Sequence, residues 1–454
     1  MKSFDSSDDV FNWLNDFINV ERGQRIKAFR LDRMEALTQL ADHPEKCADL
    51  IHIAGSKGKG SVAVMISAIL AANGKLTARY MSPHVSDIRE RISLSGGFFS
   101  EDVYVKSGEE LREIVDIYLP AAKNPLFDTE NKEGEPPTYF ELLTLYFFLC
   151  ARRAECDVMV VETGMGGRLD ATNIVNPLVS VITLIELEHT VFLGNTFAAI
   201  AGEKAGIIKN NKPLILAGQN EEAYEVFKNK AVEKNSPLFY FPDIAQISEV
   251  KVGTERTEFM LVFKNDWKIL NPEHLRIKIP ISGIVQAENA ALAVCAVKAA
   301  FPQINLNNVN CGFKKLNLPA RFEKIAESPP FIIDGAHTAQ SFSLCVETFT
   351  SLYGEGGVLL FGCAADKDPS AMAAIAAPRF SKIIITRPGT FKTSDPAHVY
   401  NSFSSVSGND KTLLIPDTAC AIDHAVKFSR ENNLPLLSAG SFYLAAEVLD
   451  FFRK

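Results

Sequence analysis

The chain has 454 residues, 47 Lys and Arg against 55 Asp and Glu, and a formal net charge of −8, which argues against nucleic acid or an anionic membrane as its main partner. Apolar residues make up 47% and charged residues 22%, a globular balance, and the length exceeds what one hydrophobic core usually serves, so two domains are expected. The opening MKSFDSSDDVF is acidic where a secretory leader needs a basic stretch and an apolar core. The longest apolar run, 142–151, is far short of a membrane span. Eight cysteines lie without a Cys-x-x-Cys pair and read as buried thiols of a reducing compartment, so the expected location is the cytoplasm.

In chain order, an apolar strand at 50–53 ends in the Gly-rich turn of AGSKGKGS (54–61), and a helix follows over 62–72. A strand at 78–81 ends at Ser82-Pro83-His84. Thr138-Tyr139-Phe140-Glu141 opens an apolar helix over 142–150, with Thr138 and Glu141 at capping-box spacing. A strand at 158–161 runs into Glu162 and a Gly-rich turn, and a strand at 179–184 runs into Glu186, Glu188 and His189. A helix over 197–207 carries Glu203-Lys204-Ala205-Gly206, and a short strand follows at 214–216. Residues 250–263 alternate as one half-exposed antiparallel strand would, 287–300 is an Ala-rich helix, and a polar Asn-rich stretch over 305–317 ends at Pro319. A second series then places strands at 331–334, 358–361, 383–386, 413–415 and 436–437, the first ending in Asp334-Gly335-Ala336-His337. Near-continuous apolar strands separated by helices imply a mostly parallel sheet flanked by helices, with ligands at the strands' C-terminal ends. The domain boundary is expected near Pro319, giving domains 1–319 and 320–454.

Strand, glycine turn and helix together can hold a phosphate: backbone N–H groups converge, the helix N-terminus adds positive potential, and Lys59 adds a point charge. Gly60 interrupts the usual Gly-Lys-Ser/Thr spelling, so an ordinary βα turn remains open on this segment alone. Glu162 at a buried strand end can hold Mg²⁺ against ATP phosphates, or be a solvated loop acid. Ser82 can ligate metal or phosphate, or simply start a turn. His189 draws interest from sharing a layer with Lys59 and Glu162, whereas Lys204 on its helix is expected to be an exposed lysine.

Taken together, these segments resemble the Mur-type amide ligases, and within them folylpolyglutamate synthase/dihydrofolate synthase. The carriers are AGSKGKGS, SPH (82–84), TYFE (138–141), ETGMGGRLDATN (162–173), EHT..LG (188–194), EKAGI (203–207), QAENAALA (286–293), LPARFE (318–323) and DGAH (334–337). The resemblance implies an α/β fold with a P-loop-type central Mur ligase domain and a smaller Rossmann-like C-terminal domain. It implies ATP contacts from Gly58, Lys59, Gly60, Ser61, Asn289, Arg321 and Asp334, and two Mg²⁺ sites that draw on Ser82, Glu162, His189 and Lys204, the last as a carbamate. Thr138, Tyr139, Phe140, Glu141, Leu169, Asp170 and Ala171 would wall the pterin site. Lys59, Lys204 and His337 would be catalytic, His337 near the incoming amino acid. The implied reaction joins L-glutamate to the carboxylate of a folate, dihydropteroate or both, through an acyl phosphate. Its partners are small molecules, with no nucleic acid and no membrane; a monovalent cation is a further allowed cofactor, and a monomer is expected.

The spelling departs from the family at four places. Ser56-Lys57 stands for Thr-Asn, Glu188 for Asp, Val191-Phe192 for Asp-Trp and Thr338 for Asn. Competing readings are another Mur-type ligase acting on a cell-wall nucleotide precursor, disfavoured by the short stretch before the first strand, a non-catalytic nucleotide-binding homologue, and a generic P-loop kinase.

Overall fold

The computed structural model describes residues 3–22, 24, 29–121, 136–188, 190–265, 267, 273–389 and 392–453. His189 lies outside the described residues.

The strands of the first sheet are β1 (Asp49–Ala54), β2 (Thr77–Tyr80), β3 (Ile92–Leu94), β4 (Val158–Glu162), β5 (Val179–Ile182), β6 (Leu214–Leu216) and β7 (Leu238–Tyr240). Among the described residues they run in the order β3-β2-β4-β1-β5-β6-β7, all parallel except β3. β1 and β4, central and buried on both faces, are mostly apolar for that reason, and His52, the polar residue within β1, is fully buried with its Nε2 2.8 Å from Thr172 Oγ1. One face is covered by the helices Lys59–Ala72 and Ile284–Ala300, whose alanines allow close approach. The helices Glu101–Ala121 and Tyr139–Arg153 cover the other face beside β2 and β4, and Phe197–Lys204 and Glu221–Glu233 cover it beside β5 and β6.

β8 (Ala245–Val252), β9 (Thr257–Phe263) and β10 (His274–Ile279) form an antiparallel sheet. Here the single strand expected over 250–263 is corrected to the end of the first arm, the turn and the second arm of a hairpin. The turn is closed by a 2.9 Å bond from Gly253 N–H to Arg256 O, and alternation runs on through it because its tip is polar. The third sheet comprises β11 (Glu323–Glu327), β12 (Pro330–Ile333), β13 (Gly357–Phe361), β14 (Phe380–Ile385), β15 (Thr412–Leu414) and β16 (Leu436–Ala439). Its order is β11-β12-β16-β13-β14-β15, with only β11 antiparallel among the described strands. Ala339–Tyr353, Pro369–Ala376 and Pro396–Ser407 pack on one face, and Thr418–Asn432 and Phe442–Arg453 on the other. A small cluster of Val85, Ala320, Ala445 and Phe442 ties this sheet's helices to the first half.

The eight thiols are free. Cys47, Cys311 and Cys420 are exposed, however, so burial holds for only the other five. Among the described residues, no helix is long and apolar enough to cross a membrane.

Candidate active site

The C-terminal ends of β1, β4 and β5 open on one side of the first sheet, and the turn after β12 faces them across a cavity of about 1140 Å³. The loop after β1 is pinned by its backbone: Ser56 and Lys57 N–H both donate to Leu184 O, at 2.9 and 3.2 Å. Gly58 begins the helix Lys59–Ala72 with φ +87, and an added Cβ would lie 2.4 Å from Asn289 Oδ1, so only glycine lets the Ile284–Ala300 helix come this close. The helix N-terminus with Gly60 and Ser61 therefore faces the cavity. Lys59 Nζ donates to Gly55 O at 3.0 Å.

Glu162 closes β4 and is 3% exposed. One carboxylate oxygen accepts Ser82 N–H at 3.2 Å. Burial pushes its pKa up to about 6, with the Lys59 ammonium pulling against that rise. Gly60 lies against this carboxylate: a Cβ there would stand in van der Waals contact, 3.4 Å from it and 3.9 Å from the Arg321 guanidinium. Arg321 itself is half-buried, stacks 4.1 Å over the Phe442 ring and donates to Pro319 O at 3.1 Å. Burial lowers its pKa, against the pull of Asp334 and Glu162. Asp334 accepts N–H bonds from Phe322 at 2.8 Å and Ala336 at 2.7 Å, which fixes the turn after β12.

The expected residues Thr138, Phe140, Glu141, Leu169, Asp170, Ala171, Asn289, Asp334 and His337 all line the cavity. Tyr139 does not: its ring is in the hydrophobic core, and its N–H donates to Ile18 O at 2.9 Å. Thr138 and Glu141 form the capping box read from their spacing. Glu141 also takes a buried ion pair from Arg33 at 2.9 Å, a partner 108 residues away that no local signal announced. The Asp170 carboxylate is committed to its own loop, accepting Met165 N–H (2.9 Å), Thr172 N–H (3.0 Å) and Thr172 Oγ1 (2.6 Å).

Lys204 contradicts the expectation of an exposed lysine. It is 1% exposed and lies beneath the loop, donating to Gly55 O at 2.7 Å and to Glu188 at 3.2 Å. Burial, reinforced by the neighbouring Lys59, lowers its pKa to about 8. Lys57 reaches the second half, with Nζ 3.3 Å from His337 Nε2. Phe442, which the sequence did not flag, lies under both Arg321 and His337.

Gly335 is forced by that ring, because a Cβ there would fall 2.0 Å from Phe442. Gly335→Ala is expected to cost about 1–3 kcal/mol through overpacking. A urea denaturation series checks it; an unchanged midpoint would mean the ring moves freely.

The chain matches the family model of the Mur ligase middle domain over residues 121–297, and that of the Mur ligase glutamate ligase domain over 320–442. A dihydrofolate synthase/folylpolyglutamate synthase of Mycobacterium tuberculosis is 31% identical over 420 residues, covering 87% of this chain and 82% of that one. A probable bifunctional folylpolyglutamate synthase/dihydropteroate synthase of Haloferax volcanii is 29% identical over 91% of this chain, which spans about half, 47%, of that longer protein. The crystal structure of Mycobacterium tuberculosis folylpolyglutamate synthase complexed with ADP and AMPPCP superposes with TM-score 0.84 at 28% identity, covering 98% of both chains.

Proposed function

We propose that this chain, which belongs to the Mur ligase family and within it to the folylpolyglutamate synthase/dihydrofolate synthases, uses ATP to join L-glutamate to the carboxylate of tetrahydrofolate, dihydropteroate or both. One observation carries the reading: the phosphate-type loop of the first half and Arg321, Asp334 and His337 of the second line a single cavity. A ligase needs that arrangement, because ATP and the incoming amine must meet at one acceptor carboxylate.

In our reading the acceptor carboxylate attacks the γ-phosphorus of ATP. A C–O–P bond forms, the bond to the β-phosphate oxygen breaks, and ADP leaves. The neutral amine of glutamate then attacks the acyl carbon of this acyl phosphate. The resulting tetrahedral centre collapses to the amide, expelling phosphate, which takes up the amine proton. Both steps gather negative charge near the loop, where Lys59, the helix N-terminus and Arg321 supply fixed positive potential.

Mg²⁺ suits the donors present. Glu162 offers the cavity a carboxylate oxygen that Ser82 N–H leaves free, beside the Ser82 hydroxyl, and hard oxygens are what this ion takes. Ser82, Glu162 and His189 would hold one ion and a carbamate on Lys204 a second; bound there, the ions would neutralise phosphate charge. Thr138, Phe140, Glu141, Leu169 and Ala171 would wall the pterin. We further propose a domain boundary at 319/320, a monomer and a cytoplasmic location.

The test supplies Mg-ATP, glutamate and either dihydropteroate or tetrahydrofolate, and follows phosphate release and product mass. The expected outcome is glutamate-dependent phosphate release with a product heavier by one glutamyl unit. Absence of turnover with both acceptors overturns the reading.

A further inference from the structure

Two of the four places where the sequence departs from family spelling, Ser56-Lys57 and Thr338, meet at one junction between the two halves. His337 Nδ1 is 2.8 Å from Gly335 O. A carbonyl can only accept, so Nδ1 carries the proton and Nε2 presents its lone pair. Lys57 Nζ donates to that lone pair at 3.3 Å, across 280 residues of sequence. Beside it, Ser56 Oγ donates to the backbone oxygen of Glu186 at 3.0 Å, and the Thr338 hydroxyl donates to the Glu186 carboxylate at 3.4 Å. Thr338 also caps the helix Ala339–Tyr353 through Ser341 N–H, so the bond to Glu186 ties a rigid element to the loop after β5.

We propose that Lys57 is a positioning residue: with Ser56, Glu186 and Thr338 it latches the turn carrying His337 onto the phosphate-type loop, so that the incoming amino acid meets an imidazole whose tautomer and orientation are already fixed. The proposal rests on the ligase reading for what the imidazole is positioned for, but not for the latch itself. The groups facing the pair support it. Lys57 is half-buried, and the charges of Glu188 and Glu186 favour its ammonium while those of Lys59 and Lys367 oppose it. His337 faces Lys57, Lys367 and Glu188, and burial with the Lys57 charge keeps its ring unprotonated, at about 3. A family-type asparagine could not supply that charge.

The experiment compares Lys57→Met and Lys57→Arg with the unaltered protein, alone and combined with His337→Asn. Lys57→Met is expected to raise KM for glutamate about tenfold while KM for ATP stays within about twofold. Lys57→Arg is expected to recover most of the loss, and Lys57→Met to add nothing once His337→Asn is present. Equal rises in both KM values, or effects that simply add, would place Lys57 with the nucleotide and overturn the latch. Nitrogen NMR of the histidine rings decides independently of turnover. The Nδ1–H tautomer of His337 is expected, with a pKa that climbs in Lys57→Met; the Nε2–H tautomer, or an unmoved pKa, overturns it. An unaltered protein that turns over neither acceptor fails the ligase reading, while the ring spectra still decide the latch.

Discussion

Lys204→Ala is expected to lower kcat about 10³-fold, with millimolar acetate or formate restoring part of the loss. A buried ammonium beside Lys59 is penalised by desolvation and by like-charge repulsion, and among the described residues it is a carbonyl and Glu188 that accept its protons. Its pKa of about 8 suggests the resolution. A lysine must be neutral to add CO₂, and at pH 7 roughly a tenth of such amines are neutral, some hundreds of times the fraction of an ordinary lysine. The adduct exchanges a cation for a carbamate whose single negative charge is shared by two oxygens at the base of the loop. The sign with pH follows: at fixed dissolved CO₂, carbamate occupancy rises with pH, most steeply below about 8, where deprotonating the ammonium and adding CO₂ each release a proton, and less steeply above it until the site saturates. Carbon NMR after addition of labelled bicarbonate is expected to give a carbamate signal that Lys204→Ala lacks. Full activity in that variant would rule the carbamate out.

The parts of the site that could be read from sequence are those set by strand ends. β1 and β4 are apolar runs that stop abruptly, and a parallel sheet brings such stops to one edge, so the AGSKGKGS loop and Glu162 were placed together by topology. Ligand-facing side chains inside helices are harder. Capping-box spacing located Thr138 and Glu141, but helical rotation put Tyr139 between them into the core. Contacts between distant segments carried no local signal: Arg33 with Glu141, Lys57 with His337, and Phe442 beneath two cationic or basic partners. The burial of Lys204 belongs to this group. It depends on the EKAGI helix docking on the GGR turn, where Arg168 N–H donates to Glu203 O at 2.8 Å. The missed edge strand β11, EKIAE, is half-exposed with glutamates at both ends, so its pairing with β12 rather than its composition makes it a strand.

Arg321→Ala is expected to raise KM for ATP about 10²-fold and to lower kcat, while KM for the folate or pteroate acceptor stays within about threefold. The asymmetry follows from position. The guanidinium reaches to within 3.9 Å of where a Gly60 side chain would begin, so it overhangs the phosphate-type loop, whereas Thr138, Phe140 and Leu169 lie elsewhere on the cavity wall. Its loss also removes a cation that opposes the burial penalty at Asp334 and, after Lys59, at Glu162. Glu162, already at about 6, would climb further, so the variant's activity should fall at a higher pH on the acid side than that of the unaltered enzyme. Arg321→Lys is expected to recover little, because a compact ammonium cannot reproduce the planar stack on Phe442 that holds the charge in place. Steady-state kinetics with each substrate varied in turn, across pH 5–9, reads all three effects; a larger change in the acceptor KM than in the ATP KM would put the nucleotide at the wrong end of the cleft.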